Sequence, residues 1–268
     1  IHSHLDCSDF IMFDEIHEFA RGKVASKVLR SFPAASYRIG LTATPPKERF
    51  SRLSLTSFLG QEIEFVTAGD LVEKGYLTKP SIQILDLPET DLLQTEGMSY
   101  SDLYDKYIVN NEFRNNLIVD VALSINKERH KTLILTKNLR HAEILHKKLP
   151  GAYKLEGKDG LLERESVLED FVAQKDPAII IGTIIFQTGV DIPELTHLIN
   201  ARGLKSEIAT IQALGRTLRK HENKNQVFIY DFMDKVPYLA KHSNSRLSAY
   251  KSLGFEVTIH GKTTKKRN

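Results

Sequence analysis

Phe10-Ile11-Met12-Phe13-Asp14-Glu15-Ile16-His17 is the stretch on which the fold turns. A four-residue apolar run with no polar alternation, stopped by two acidic residues, suits a strand buried on both faces of a parallel sheet. Two carboxylates at the carboxyl end of such a strand lie where α/β folds place their ligand crevice. Outward from it, Val24 to Phe32 reads as a short helix, and Arg38-Ile39-Gly40-Leu41 as a second strand. That strand ends in Thr42-Ala43-Thr44 before Pro45-Pro46, where regular structure must stop.

From Pro80 the pattern starts afresh. Strand candidates are Ser81–Leu85, Thr132–Leu135, Ala178–Gly182, His197–Asn200 and Val227–Tyr230. Helix candidates fall between them: Glu112–Lys127, Leu139–Leu149, Leu162–Gln174, with an apolar stripe Val167, Leu168, Phe171 and Val172, and Ser206–Lys220. Strands alternating with helices of this length give a parallel α/β sheet. Residues 80–235 therefore read as one whole α/β domain, residues 1–79 as the end of another, and residues 236–268 as a C-terminal helix and basic tail. The first part has too few strands to close a sheet, so a further segment is expected upstream.

Composition sets the outer limits. The chain has 268 residues, 41% apolar and 26% charged, the balance of a globular protein with a sizeable core. No apolar run reaches membrane-spanning length, and the first residues carry no secretory pattern. One cysteine, Cys7, excludes an internal disulfide and points to a reducing interior such as the cytoplasm. A net charge of +3 says little about a nucleic-acid partner, and Lys262, Lys265, Lys266 and Arg267 read first as a solvated end.

Four clusters carry chemistry. Adjacent carboxylates Asp14 and Glu15 suit holding Mg²⁺ through water and orienting an attacking water. Thr42 and Thr44 place hydroxyls beside them; turn chemistry alone would also put them there. In the helix Ser206–Lys220, Gln212, Arg216 and Arg219 share one face, while Ile208, Ile211, Leu214 and Leu218 occupy another. Two arginines on one stripe can offset charge on a departing γ-phosphoryl group, against the bland alternative of a solvated basic face. Gly215 argues for close packing there, since a mid-helix glycine costs about 1 kcal/mol against alanine. Finally Thr183, with Gly189 and Asp191 in the stretch after it, and Thr136-Lys137-Asn138 end neighbouring strands. They line one rim with hydroxyl, amide and ammonium donors fit for a sugar–phosphate backbone. Tyr100, Tyr104 and Tyr107, at helical spacing, read as packing residues rather than a base-stacking platform.

In order and spacing these clusters resemble superfamily 2 helicases of the DEAD/DEAH-like kind. Asp14-Glu15-Ile16-His17 is similar to motif II, Thr42-Ala43-Thr44 to motif III and Thr132 to Asn138 to motif IV. Thr183 with Gly189-Val190-Asp191 resembles motif V, and Gln212-x-x-Gly215-Arg216-x-x-Arg219 motif VI. Leu71 to Leu77 looks like the linker into the second lobe, and Ala240 to Phe255 resembles the tail of bacteriophage UvsW-type DNA helicases. The resemblance implies two RecA-like lobes, one partial and one complete here, with ATP and Mg²⁺ in the cleft and nucleic acid, DNA in preference to RNA, across the top. It implies that Asp14 coordinates Mg²⁺ through water, Glu15 activates water, Arg216 and Arg219 act as arginine fingers, and Gln212 lies near the γ-phosphate. Gly189 and Asp191 belong to the nucleotide side; His17, Thr42, Thr44 and Asp191 couple nucleotide state to movement; Thr136, Lys137, Asn138 and Thr183 contact the strand.

One departure matters. The phosphate loop Gly-x-x-x-x-Gly-Lys-Ser/Thr is expected upstream of motif II, and Gly261-Lys262-Thr263 cannot serve because Glu256 stands where its first glycine belongs. The chain is thus expected to be an ATP-dependent helicase or translocase truncated before motif II, inactive alone, with the missing segment supplied by the same or a separate chain. The alternatives are a binding module without catalysis and a motor subunit of a larger complex.

Overall fold

The computed structural model describes residues 8–20, 27, 31–32, 35–42, 45–46, 48–63, 66, 68–89, 95–156, 159–183, 192, 195–205 and 224–261. The chain divides into two compact units, Ile1–Val66 and Thr67–Asn268.

In the first unit, β1 (Phe10–Phe13) runs parallel to β2 (Tyr37–Gly40), with Phe10 opposite Tyr37 and Phe13 opposite Gly40. The second strand therefore begins and ends one residue earlier than Arg38–Leu41. The ladder nonetheless carries on past it: the Leu41 amide donates to the Phe13 carbonyl, and the Ile16 amide to that of Leu41. A 3₁₀ turn, Ile16–Ala20, and helix α1, Arg49–Leu59, pack beside them. At Gly40 the packing leaves no room for a side chain, because an added Cβ would lie 2.6 Å from Leu59 Cδ1. The expectation of burial on both faces fails here. Phe10 and Met12 on β1, and Tyr37 and Ile39 opposite them, are 52%, 55%, 68% and 37% exposed. Side chains alternate across a strand, so these four form one uncovered face, while Ile11 is buried on the other.

The second unit opens with α2 (Ala68–Glu73) within the expected linker and continues into β3 (Lys79–Asp86). Helix α3 (Tyr100–Tyr104) begins at a capping box formed by Ser99 and Asp102, and runs into one π-helical turn over 105–109. Then follow α4 (Glu112–Lys127), β4 (Thr132–Leu135), α5 (Leu139–Lys148), β5 (Tyr153–Leu155), α6 (Leu161–Ala173), β6 (Ile179–Gly182), β7 (His197–Asn200), β8 (Gln226–Met233), α7 (Leu239–Ser252) and β9 (Glu256–His260). Asn111 and Asn138 cap α4 and α5 by accepting from the Arg114 and His141 amides, which explains where both helices start.

The seven strands make one sheet in the order β5-β6-β4-β7-β8-β3-β9, parallel at every pairing. Strand residues alternate between two apolar layers. Ile82, Leu133, Ile180, Leu198 and Ile229 face Phe171 of α6 and Tyr250 of α7. Ile134, Ile181, Ile199 and Phe232 face Ile118 and Ala122 of α4 and Leu145 of α5. Here the continuous apolar strands are buried on both faces, as a helix-covered parallel sheet requires. In α6 the stripe is Val167, Leu168 and Phe171; Val172, at its edge, is 38% exposed. Strand β9 corrects the reading of 236–268 as a helix and basic tail: Glu-Val-Thr-Ile-His is a period-two pattern that fits an edge strand, and it pairs with β3. Tyr104 is buried, as a packing residue should be.

Candidate functional site

The first unit brings together the residues of the acidic tetrapeptide and Thr42. Asp14 and Glu15 follow β1 directly, at its carboxyl end. Glu15 lies in the left-handed region, φ 48°, a conformation that costs a residue with a Cβ on the order of 1–2 kcal/mol. Two hydrogen bonds hold it: the Glu15 amide donates to Asp14 Oδ1 at 2.9 Å, and the Ile16 amide to the Leu41 carbonyl at 2.9 Å. His17 Nδ1 lies 2.8 Å from Thr42 Oγ1 and 3.3 Å from Glu15 Oε2. The imidazole thus spans the carboxyl ends of both strands, with the direction of its bond to Thr42 set by its tautomer. Backbone strain held by a local hydrogen-bond net is a feature that clusters at functional sites. Asp14 is exposed, and its carboxylate can hold a hydrated Mg²⁺ without giving up the bond from the Glu15 amide.

In the second unit, Thr136 and Thr183 follow neighbouring strands β4 and β6 at their carboxyl ends. Their environments differ from the expected open rim. Thr136 is fully buried: its amide donates to the Gly182 carbonyl at 2.9 Å, and its hydroxyl to the Asn138 carbonyl at 3.3 Å. Asn138 spends its side-chain oxygen on the α5 cap, and Thr183 is 4% exposed. Lys137 is the exposed donor of the set. Its ammonium sits 4.3 Å from the Tyr104 ring centroid and 5.5 Å from that of Tyr100, a cation–π contact that holds it at the end of β4. Thr44, Gly189, Asp191, Gln212, Arg216 and Arg219 lie outside the described residues.

A buried polar cluster was not foreseen. Arg246 of α7 grips Asp231 of β8 with a two-point fork, Nε to Oδ2 at 2.9 Å and Nη2 to Oδ1 at 3.0 Å, both side chains 1% exposed. The Tyr250 hydroxyl and the Asn200 amide donate to the same carboxylate. Burial by itself would raise the Asp231 pKa; the guanidinium charge and these hydrogen bonds outweigh it and hold the group below its ordinary value. Beside it Arg114 of α4 pairs with Asp234 at 3.3 Å and lies over the Phe232 ring. On the same helix Asn115 meets His141 Nε2, whose imidazole is pushed down to about 3 by burial and by the charge of Arg114. The signal was legible in principle: Asp231 is a charge inside the apolar run Val-Phe-Ile-Tyr-Asp-Phe, and Ser243, Arg246 and Tyr250 share a face of α7 by spacing. Among the described residues no group of three or more His, Cys, Asp or Glu could hold a metal ion.

Comparison with known families gives a match over residues 114–221 to the model of the helicase conserved C-terminal domain, in keeping with the resemblance to superfamily 2 helicases. Among individual relatives, the chain is similar to the ATP-dependent DNA helicase UvsW of Enterobacteria phage T4. The two are 24% identical over 242 residues, covering 88% of this chain and 48% of the relative, so the chain spans about half that protein's length. The crystal structure of T4 UvsW superposes with a TM-score of 0.58 at 20% identity, covering 97% of this chain and 55% of that one. A fragment of a putative HsdR subunit of a type I restriction enzyme from Vibrio vulnificus YJ016 gives 0.70 at 18% identity, covering 95% and 48%. These likenesses establish the RecA-like α/β fold.

Proposed function

We propose that the protein containing this chain is an ATP-dependent DNA helicase or translocase that moves on a strand by closing two RecA-like lobes on ATP. The observation that carries the reading is the strained, hydrogen-bonded turn Asp14-Glu15-Ile16-His17, joined through His17 to Thr42 at the next strand end. Asp14 would hold Mg²⁺ through water, and bound Mg²⁺ would neutralise charge on the phosphates. Glu15 would orient the attacking water. His17 and Thr42 form a direct contact through which a shift at one strand end is felt at the other, and Thr44 is assigned to the same coupling. Arg216, Arg219 and Gln212 would meet the γ-phosphate, with Gly189 and Asp191 on the nucleotide side. Lys137 supplies the strand contact, with Thr136, Asn138 and Thr183 shaping the strand ends behind it; contacts of this kind go to phosphates and carry no base sequence. DNA is favoured because the T4 relative is named a DNA helicase. No described helix is long and apolar enough to cross a membrane, and a cytoplasmic enzyme, or one in a phage host's cytoplasm, is the reading we adopt.

The uncovered face of β1 and β2 supports a further segment of the first lobe, carrying the phosphate loop, in the same or a separate chain. The test is ATP hydrolysis with and without single-stranded DNA, on this chain and on one extended upstream of Ile1. The extended chain should hydrolyse ATP, the chain alone should not, and Arg216→Ala should abolish the activity. An extended chain that binds DNA but stays inert would overturn the reading in favour of a binding module. Likeness to the HsdR fragment favours a second reading, a motor that translocates within a larger complex. Strand displacement without loss of translocation separates the two: a helicase does both, such a motor only the second.

A further inference from the structure

Four successive backbone carbonyls after β7 are each taken by a side chain. Arg114 Nη1 donates to the Ala201 oxygen at 3.0 Å, the Tyr104 hydroxyl to that of Arg202 at 2.7 Å, and Arg246 Nη1 to that of Leu204 at 2.7 Å. Between the last two, His242 Nδ1 meets the Gly203 oxygen at 3.3 Å. The donors come from α3, α4 and α7, elements far apart in sequence. Gly203 itself has φ 61°, a conformation that strains any residue with a Cβ, and an added Cβ would lie 2.8 Å from Ile108 Cδ1 of the π-helical turn, which would have to shift.

Loop carbonyls are ordinarily satisfied by water at the surface. Binding all four with buried or half-buried donors costs side-chain ordering and the desolvation of two guanidinium groups. Each cation is moreover aimed by a second partner, Arg246 by Asp231 and Arg114 by Asp234. A buried ion pair adds little net stability over apolar packing of equal volume; what it supplies is a fixed direction. The backbone so fixed leads within two residues, in sequence, into Ser206–Lys220 with its two arginines.

We propose that Arg114, Tyr104, His242 and Arg246 are positioning residues for ATP hydrolysis: they clamp residues 201–204, the backbone that leads in sequence to Arg216 and Arg219. This rests on the reading that Arg216 and Arg219 complete the ATPase site. On this view α7 is part of the motor's frame and controls the rate of the chemical step without touching nucleotide.

The test uses the chain extended upstream of Ile1, with DNA-stimulated ATP hydrolysis, DNA affinity and melting temperature measured on each variant. Tyr104→Phe removes one hydroxyl and no volume; His242→Leu removes one donor, and His242→Asn returns a nitrogen near the same place. Tyr104→Phe and His242→Leu should each lower kcat about tenfold, the order of loss expected from sub-ångström misplacement of a catalytic group. KM for ATP and DNA affinity should hold, melting temperature should fall by no more than a few degrees, and His242→Asn should recover most of the rate. Unchanged kcat in both variants overturns the clamp, and so does a loss of kcat matched by loss of DNA affinity and of melting temperature. Arg216→Ala, run in parallel, separates the two levels. If it is inactive while the clamp variants are as fast as the parent, only the clamp fails; if it retains activity, the underlying arginine assignment fails with it.

Discussion

The two units use one kind of sheet and reach different ends. Both are parallel, with strands ending in polar residues at the carboxyl side, yet the seven-stranded sheet has helices on both faces and the two-stranded sheet has an apolar face open. Phe10, Met12, Tyr37 and Ile39 have the composition of strands meant for burial and lack a layer above them. The comparison teaches that the second unit carries its own stability, while the first holds its acidic turn in shape chiefly through Ile16, Gly40 and Leu59 on one side.

The largest effect should come from separating the units. Residues 67–268 should unfold cooperatively in urea, and residues 1–66 should show no cooperative transition by circular dichroism; a sharp transition in the short piece would break the comparison. Within 67–268, Arg246→Met strands Asp231 without its charge partner and should cost about 3–5 kcal/mol in urea midpoint analysis, whereas a loss under 1 kcal/mol would mean the ion pair is replaceable. Acid should act next. Burial, with the Arg114 charge, brings His141 to about 3, and burial, with the charge of His130, brings His197 to about 4. Both groups are neutral when folded, so above the ordinary histidine value of 6.5 they do not affect stability. Below it the unfolded chain takes up protons that the folded chain refuses, and stability falls with pH until the folded values are reached. Asp231, already ionised throughout, adds nothing to that slope. Lowering pH from 7 to 5 should remove up to about 4 kcal/mol from 67–268, and the histidine pair replaced by His141→Gln and His197→Phe should flatten the profile. The smallest effect belongs to the first unit: Gly40→Ala must push Leu59 aside, at about 1–3 kcal/mol, read as a lower melting temperature of the extended chain.

Much of this was visible in the residues. The strands expected at 132–135 and 197–200 are found to the residue, and the helices expected from 112 and 139 start there, behind the Asn111 and Asn138 caps. What escaped has physical reasons. Tyr153–Leu155 is three residues with a lysine at its centre, too short for a period to register, and the alternation of β9 rests on only two apolar residues, Val257 and Ile259. The exposure of β1 escaped because strand composition reports what a face is made for, and says nothing of what covers it. At the candidate site, the resemblance grouped His17 with Thr42, and the two side chains lie 2.8 Å apart. It placed Thr136 on an open rim because a hydroxyl at a strand end looks available; the carbonyls of Gly182 and Asn138 had already claimed it. The Arg246–Asp231 cluster escaped because its members lie on different elements, and spacing along α7 does not say which strand that face meets.

The place of β3 in the sheet bears on how the protein is made. Its neighbours are β8 and β9, so the first strand of the second unit finds no partner until the ribosome has passed residue 226. Strands β4 to β7 can assemble as they emerge, while Ile82 and Ile84 wait with both edges open. Unpaired apolar strands are the segments that associate wrongly between chains. Synthesis that stops short of β8 would therefore leave a product prone to clump, and β8 with β9 acts as the latch that closes the sheet.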